Sequence, residues 1–236
     1  MTLAEEAGVH GILCVGTTAV DSAKCIEIAS RFSSVRAAVG IHPNNCHEAA
    51  EGDWKLIEAM ARDPRVVAIG ETGLDRYWKD CPWETQLHYL SLHIQLAREL
   101  DLPIVIHTRD CVDEAIDWLE AQYRIQPFSA VMHSFTGSVS AARRFLDIGF
   151  YISFAGMVTF KNGGDIRQVA AEVPLERLLV ETDSPYLTPH PFRGQKPNHP
   201  ALVQHTLECI ASLRGLSPQE LSAIESDNAK SLFRKW

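Results

Sequence analysis

VVAIGETGLD, residues 66–75, begins as a run suited to a buried strand and ends with two carboxylates, Glu71 and Asp75, in glycine-rich backbone. One such segment carries little information, because every strand ends somewhere and chain exits are usually polar. The pattern recurs, however. Runs rich in Val, Ile and Leu occur at ILCVGT (12–17), VRAAVGIH (35–42), VVAIGE (66–71), PIVIHTR (103–109), SAVMHSF (129–135), FYISFAG (150–156) and LLVETDSPY (178–186), which makes seven predicted strands. Most are nearly continuous in apolar residues, as parallel strands covered on both faces are. Between them, SAKCIEIASRF, WKLIEAMARD, WETQLHYLSLHIQLARELD, CVDEAIDWLEAQYR, SVSAARRFLDIG and DIRQVAAEV carry helical spacing.

Alternating strand and helix predict a parallel α/β fold, and two observations favour a TIM-type (β/α)8 barrel over an open sheet. Chemically capable side chains follow many different strands, whereas an open sheet gathers its ligand contacts at one switch point. There is also no Gly-x-Gly-x-x-Gly and no Walker-type Gly-Lys-Ser/Thr, so no nucleotide loop is expected. A barrel needs eight strands and seven are counted. Leu3 to Ala7 reads as the end of a helix, Gly8 as its stop and Ile12 as a strand start, so the first βα unit is expected to be missing.

At 236 residues the chain is expected to be a single barrel domain, 1–236, with TPHPFRGQKPNHP (188–200) as a long loop over the mouth. No signal peptide or apolar spanning run is present, which predicts a cytoplasmic protein without membrane contact; no protein partner can be inferred. The six cysteines lack Cys-x-x-Cys spacing and read as reduced thiols. A net charge of −8 excludes a broad electrostatic footprint for nucleic acid, leaving only local, metal-mediated contacts.

The strand exits carry His42 after the second strand, Glu71 and Asp75 after the third, His107 and Arg109 after the fourth, His133 after the fifth and Asp183 after the last. In a closed barrel these exits converge, and two imidazoles with two carboxylates, Glu71, His107, His133 and Asp183, make an N/O donor set for a divalent cation. Alternatives stay open at single positions. Asp75 could serve the GLD turn, Asp183 could cap Ser184-Pro185, His42 could be loop chemistry before Pro43, and Arg109 could pair with Asp110 or a neighbouring helix. His10, His47, His88, His93, His199 and His205 read as surface or packing residues.

GIHP, GETGLD, HTRD, HSFTG after AVM, and ETDSPYLTP resemble, in order and at matching spacing, the motifs of the TatD family of metal-dependent deoxyribonucleases, within the amidohydrolase-like barrel superfamily. The resemblance implies a distorted (β/α)8 barrel with a divalent-metal site and hydrolysis of phosphodiester bonds in DNA, often from the 3′ end. It also implies Glu71, His107, His133 and Asp183 as metal ligands, with His42 and Arg109 nearby. On that reading Mg²⁺ is the expected ion, with Zn²⁺ or Mn²⁺ as alternatives. Asp183 is then the general base, Glu71 is shared between metals, and His42, Arg109, Arg193 and Lys196 contact substrate.

The sequence departs from the family pattern in one place: no Asp-x-His-x-His strand precedes the first counted strand. One bound metal and reduced nuclease activity are therefore expected. The rival readings are an amidohydrolase acting on C–N or ester bonds of a small molecule, and a non-catalytic paralogue.

Overall fold

The computed structural model describes residues Met1–Arg234. Along the chain run α1 (Thr2–Glu6), β1 (Ile12–Val15), α2 (Ala19–Arg31), β2 (Val35–Val39), α3 (Asp53–Met60), β3 (Val66–Asp75), α4 (Trp83–Leu100), β4 (Ile104–Arg109), α5 (Val112–Ile125), β5 (Ala130–Met132), α6 (Val139–Asp147), β6 (Tyr151–Phe154), α7 (Gly164–Glu172), β7 (Leu178–Val180), α8 (Val203–Arg214) and α9 (Pro218–Leu232). Each of the seven apolar runs forms a strand, and the α/β alternation is as the hydrophobic pattern requires. The sequence reading placed no helix after residue 173, yet α8 and α9 lie there. The cue to α9 is at Ser217, whose hydroxyl accepts from the Glu220 N–H at 3.2 Å while the Glu220 carboxylate accepts from the Ser217 N–H at 2.8 Å.

Two compact units divide the described residues: Gly11–Val131 with 232–234, and Met1–His10 with Met132–Ser231. In the first, β1, β2, β3 and β4 are neighbours in chain order and all parallel. Ile69, Ile104 and Ile106 are at most 1% exposed. Each contributes up to about 1.5–3 kcal/mol by leaving water. The long helix α4 turns Leu90, His93, Ile94 and Ala97 inward at helical spacing, which covers β3.

Strand β3 continues past the point where the sequence reading ended it, so Glu71 lies inside a strand. The register explains how. Ile69 pairs with Ile104 and Thr72 with Ile106, three steps on β3 against two on β4, so one extra residue is accommodated at Gly70–Glu71. The slip takes Glu71 out of the regular ladder, and its N–H bonds instead to the Gly16 carbonyl beyond β1 at 3.0 Å. Gly70, at φ +133°, could carry no side chain there, since a Cβ would meet the Val105 carbonyl oxygen at 2.6 Å.

In the second unit β6 and β7 run parallel, with Ile152 opposite Leu178 and Phe154 opposite Val180. Ser138 caps α6 by accepting from the Ala141 N–H at 3.2 Å. The fully buried Phe145 stacks on Phe150 and meets Phe135 edge-on. The segment 188–200 is anchored rather than loose: the buried Asn198 side chain donates to the carbonyls of Thr182 and Tyr186, at 2.9 and 2.5 Å, and Thr188 donates to Gln195 at 2.9 Å. Among the described residues no helix is long and apolar enough to cross a membrane.

Candidate metal-binding site

Two groups of side chains carry metal-ligand chemistry, one in each unit. In Gly11–Val131, His42, Glu71 and His107 bring ligand atoms within 4.8 Å of one another. His107 Nδ1 lies 3.1 Å from Glu71 Oε1, and His42 Nε2 lies 3.3 Å from the same oxygen. The two imidazoles meet at a tilt, centroids 4.5 Å apart. Behind His107 stands Asp75, whose Oδ2 is 3.1 Å from Nε2.

Asp75 is 2% exposed. Burial alone would raise its carboxyl. Hydrogen bonds from His107, from the Trp78 N–H and from the Asn44 amide outweigh that effect and hold it at about 2. A carboxylate of this kind can only accept, so His107 carries its proton on Nε2. Its Nδ1 lone pair then faces the Glu71 carboxylate at 3.1 Å, an arrangement that calls for a proton or a cation between them. Both turn and site therefore claim Asp75, which resolves the alternative left open at that position. Gly73 is part of the same arrangement, because at φ +145° a Cβ would overlap the His107 carbonyl.

His42 is fixed differently. Its Nδ1 accepts from the Asn44 N–H at 3.2 Å as the cap of a short 3₁₀ turn, Pro43–Glu48. With Nδ1 an acceptor, the neutral ring presents Nε2–H toward Glu71, a donor rather than a metal ligand.

His93, which sequence reasoning left as a packing residue, braces the same strand exit. Fully buried, it accepts from the Ile41 N–H through Nε2 at 2.9 Å, and Nδ1 lies 2.6 Å from the Tyr89 carbonyl. Burial pushes it down to about 4, keeping it neutral. Its signal was visible as a histidine in the apolar stripe of α4.

In the other unit, His133, Glu181 and Asp183 form the second group. His133 Nδ1 lies 2.8 Å from Glu181 Oε1, and the Ser153 hydroxyl donates to Oε2 at 2.5 Å. Burial works to raise the Glu181 carboxyl, and is outweighed by His133, by Ser153 and by the Ser134 N–H, which hold it below the usual range. Here too a carboxylate takes the Nδ1–H and leaves the far nitrogen, Nε2, for a ligand. Glu181 lies two residues before the expected ligand Asp183 in the ETD stretch, and nothing local in the sequence marks its partners.

The remaining predicted contacts are placed as follows. Arg109 makes no ion pair among the described residues; its guanidinium lies over the Tyr77 ring, 3.6 Å from the centroid. Arg193 is exposed over Phe160 at 3.7 Å, and Lys196 is exposed. His205 contacts Glu208 at 3.1 Å and the Phe192 ring. None of the six cysteines forms a disulfide. Both groups suit a divalent cation by donor chemistry, imidazole nitrogen plus carboxylate oxygen, with His107 turned by Asp75 and His133 by Glu181.

Comparison with known proteins agrees with the ordered motifs. The TatD related DNase family matches residues 1–234. An uncharacterised metal-dependent hydrolase of Bacillus subtilis, YabD, is 39% identical over 226 residues, covering 96% of this chain and 88% of that protein. A protein of Klebsiella pneumoniae named 3′-5′ ssDNA/RNA exonuclease TatD is 37% identical over 234 residues, covering 98% of this chain and 89% of that one. The crystal structure of the Escherichia coli TatD homologue YjjV superposes with a TM-score of 0.91 at 30% identity, covering 99% of this chain and 90% of that one. With its strand-exit motifs in family order and a backbone that follows a TatD homologue almost throughout, the chain belongs to the TatD family.

Proposed function

We propose that the protein is a divalent-metal-dependent hydrolase of phosphodiester bonds in DNA, shortening single strands from the 3′ end in the cytoplasm. The observation that carries this reading is the repeated carboxylate–imidazole pair, Asp75 with His107 and Glu181 with His133, each in a group with a further carboxylate, Glu71 or Asp183. The Klebsiella relative's name supplies the substrate class.

Glu71 and His107 would hold metal in one group and His133 and Asp183 in the other, two candidate positions where the sequence led to the expectation of one bound ion. With the cation bound, the chemistry supplied is polarisation of a phosphoryl oxygen and a lowered pKa for a coordinated water. Asp183 takes the proton of the attacking water. With Glu71 on the cation, His42 would give its Nε2–H, here 3.3 Å from Glu71 Oε1, to a phosphate oxygen. Arg109 offers a permanently charged, planar fork to another, and Arg193 and Lys196 supply positive charge along the strand. Mg²⁺ is the working ion, with Mn²⁺ and Zn²⁺ as alternatives that the imidazole donors also accommodate.

The test uses a 5′-labelled single-stranded deoxyoligonucleotide and protein stripped with chelator, then resupplied with each cation in turn. A ladder of progressively shortened products in the presence of a cation, absent with chelator and absent for Glu71→Ala, is expected. No shortening with any cation, or equal shortening by Glu71→Ala, overturns the reading.

A further inference from the structure

Beyond β3 the chain holds two large aromatic rings in water. Tyr77 is 48% exposed and Trp78 50% exposed, their centroids 5.0 Å apart and their planes nearly perpendicular. Such exposure contributes little to folding, yet the backbone beneath the rings is held firmly. Asp75 Oδ1 accepts the N–H groups of both, at 2.7 and 3.0 Å. The buried Gln86 accepts the Asp75 N–H at 2.8 Å and donates to the carbonyls of Asp75 and Cys81 at 3.0 Å each. The other oxygen of Asp75 is the one against His107. A single carboxylate therefore sets both the orientation of a metal-ligand imidazole and the position of two exposed rings.

The surroundings narrow the occupant. Arg109, two residues beyond His107 on β4, lies over Tyr77 and makes no ion pair among the described residues. Arg76, Lys79 and Asp80 are exposed around the rings. Two rings within a charged border are too small an apolar area for a stable protein interface. They suit flat groups that arrive attached to phosphates. Bases of a duplex are stacked away from such a surface, whereas bases of a single strand are free to meet it.

We propose that Tyr77 and Trp78 are a stacking platform for a base of single-stranded nucleic acid, with Arg109 taking the adjoining phosphate. This rests on the nuclease reading and adds to it the residues that recognise bases.

The experiment measures binding of a labelled single-stranded oligonucleotide to the full chain, in chelator so that nothing is cleaved, beside an abasic strand of equal length, and then KM with cation restored. Replacing both rings by alanine should weaken binding of the normal strand about tenfold to a hundredfold and raise KM accordingly. Trp78→Phe should retain most of the affinity, because a ring remains. The abasic strand should bind the parent protein as weakly as the normal strand binds the double variant. Equal affinity of parent and double variant for the normal strand, or of the parent for normal and abasic strands, overturns the platform while leaving a cleaving parent enzyme and the nuclease reading intact. A parent protein that neither binds nor cuts any strand overturns both.

Discussion

Each of the two ligand groups turns an imidazole with a carboxylate, but the carboxylates are secured in different ways. Asp75 receives four donors, and two of them are backbone N–H groups from the turn that follows it directly. Glu181 is secured from further away: His133 follows β5, Ser153 sits on β6, and Glu181 itself follows β7. In the first group orientation of the ring and shape of the loop depend on one residue. In the second the backbone N–H that the carboxylate holds is that of Ser134, beside His133, and not one from the chain that follows Glu181 itself.

The largest effect tests whether the groups are metal sites at all. Glu71→Ala should abolish cation-dependent hydrolysis, a loss of about a thousandfold or more in kcat/KM, with the melting temperature little changed because Glu71 adds nothing to the apolar core. A folded variant that keeps the parent rate would remove the first group from the chemistry.

Next come the orienting carboxylates, where the contrast is sharpest. Asp75→Asn and Glu181→Gln should each lower metal affinity or activity about tenfold to a hundredfold. Only Asp75→Asn should also loosen the Tyr77–Trp78 turn, seen as faster amide exchange at those two positions. Equal exchange in the two variants would mean that Asp75 is no more tied to its loop than Glu181 is.

The third prediction concerns acid. His93 has a folded value of about 4 against an ordinary 6.5, so the unfolded chain takes up the proton first as pH falls. Its contribution is complete above 6.5 and is lost progressively toward pH 4, amounting to about 3 kcal/mol. The Gly11–Val131 unit, where His93 holds the Ile41 N–H, should show this loss, and His93→Leu should flatten the pH dependence of unfolding while lowering stability at neutral pH. Parallel pH profiles for parent and variant would show that another group is responsible.

The smallest effect belongs to the loop of the second unit. Arg193→Ala with Lys196→Ala should raise KM for an oligonucleotide a few-fold, about 0.5–1 kcal/mol, and reduce the salt dependence of binding. An unchanged salt slope would remove these exposed charges from substrate recognition.

What could be read from the chain was what lies close together along it. The seven strands follow from apolar runs, and His42, Glu71, His107, His133 and Asp183 follow from their position beside those runs. What escaped depends on partners distant in sequence. Glu181 looked like the neighbour of a ligand because its partners, His133 and Ser153, lie 48 and 28 residues away. His93 is 52 residues from the amide that it holds, and the pattern of α4 shows that it is buried without showing what it binds. Arg109 was expected at a phosphate, with an ion pair as the alternative, and nothing in spacing alone reveals the Tyr77 ring beneath it.

The extra residue at Gly70–Glu71 has a consequence for how much change β3 tolerates. In a regular strand side chains alternate, and every position keeps the parity of its predecessors. The inserted residue resets that parity halfway along β3, so the alternation that buries Ile69 does not continue unchanged into Thr72–Asp75. Conservative exchanges on either side leave the count intact. Deleting residue 70 would bring the count to two steps against two, leaving Thr72–Asp75 opposite the same residues of β4 but drawing Glu71 into the ladder, away from the Gly16 carbonyl and from His42 and His107. The strand is therefore more tolerant of altered spelling than of altered length.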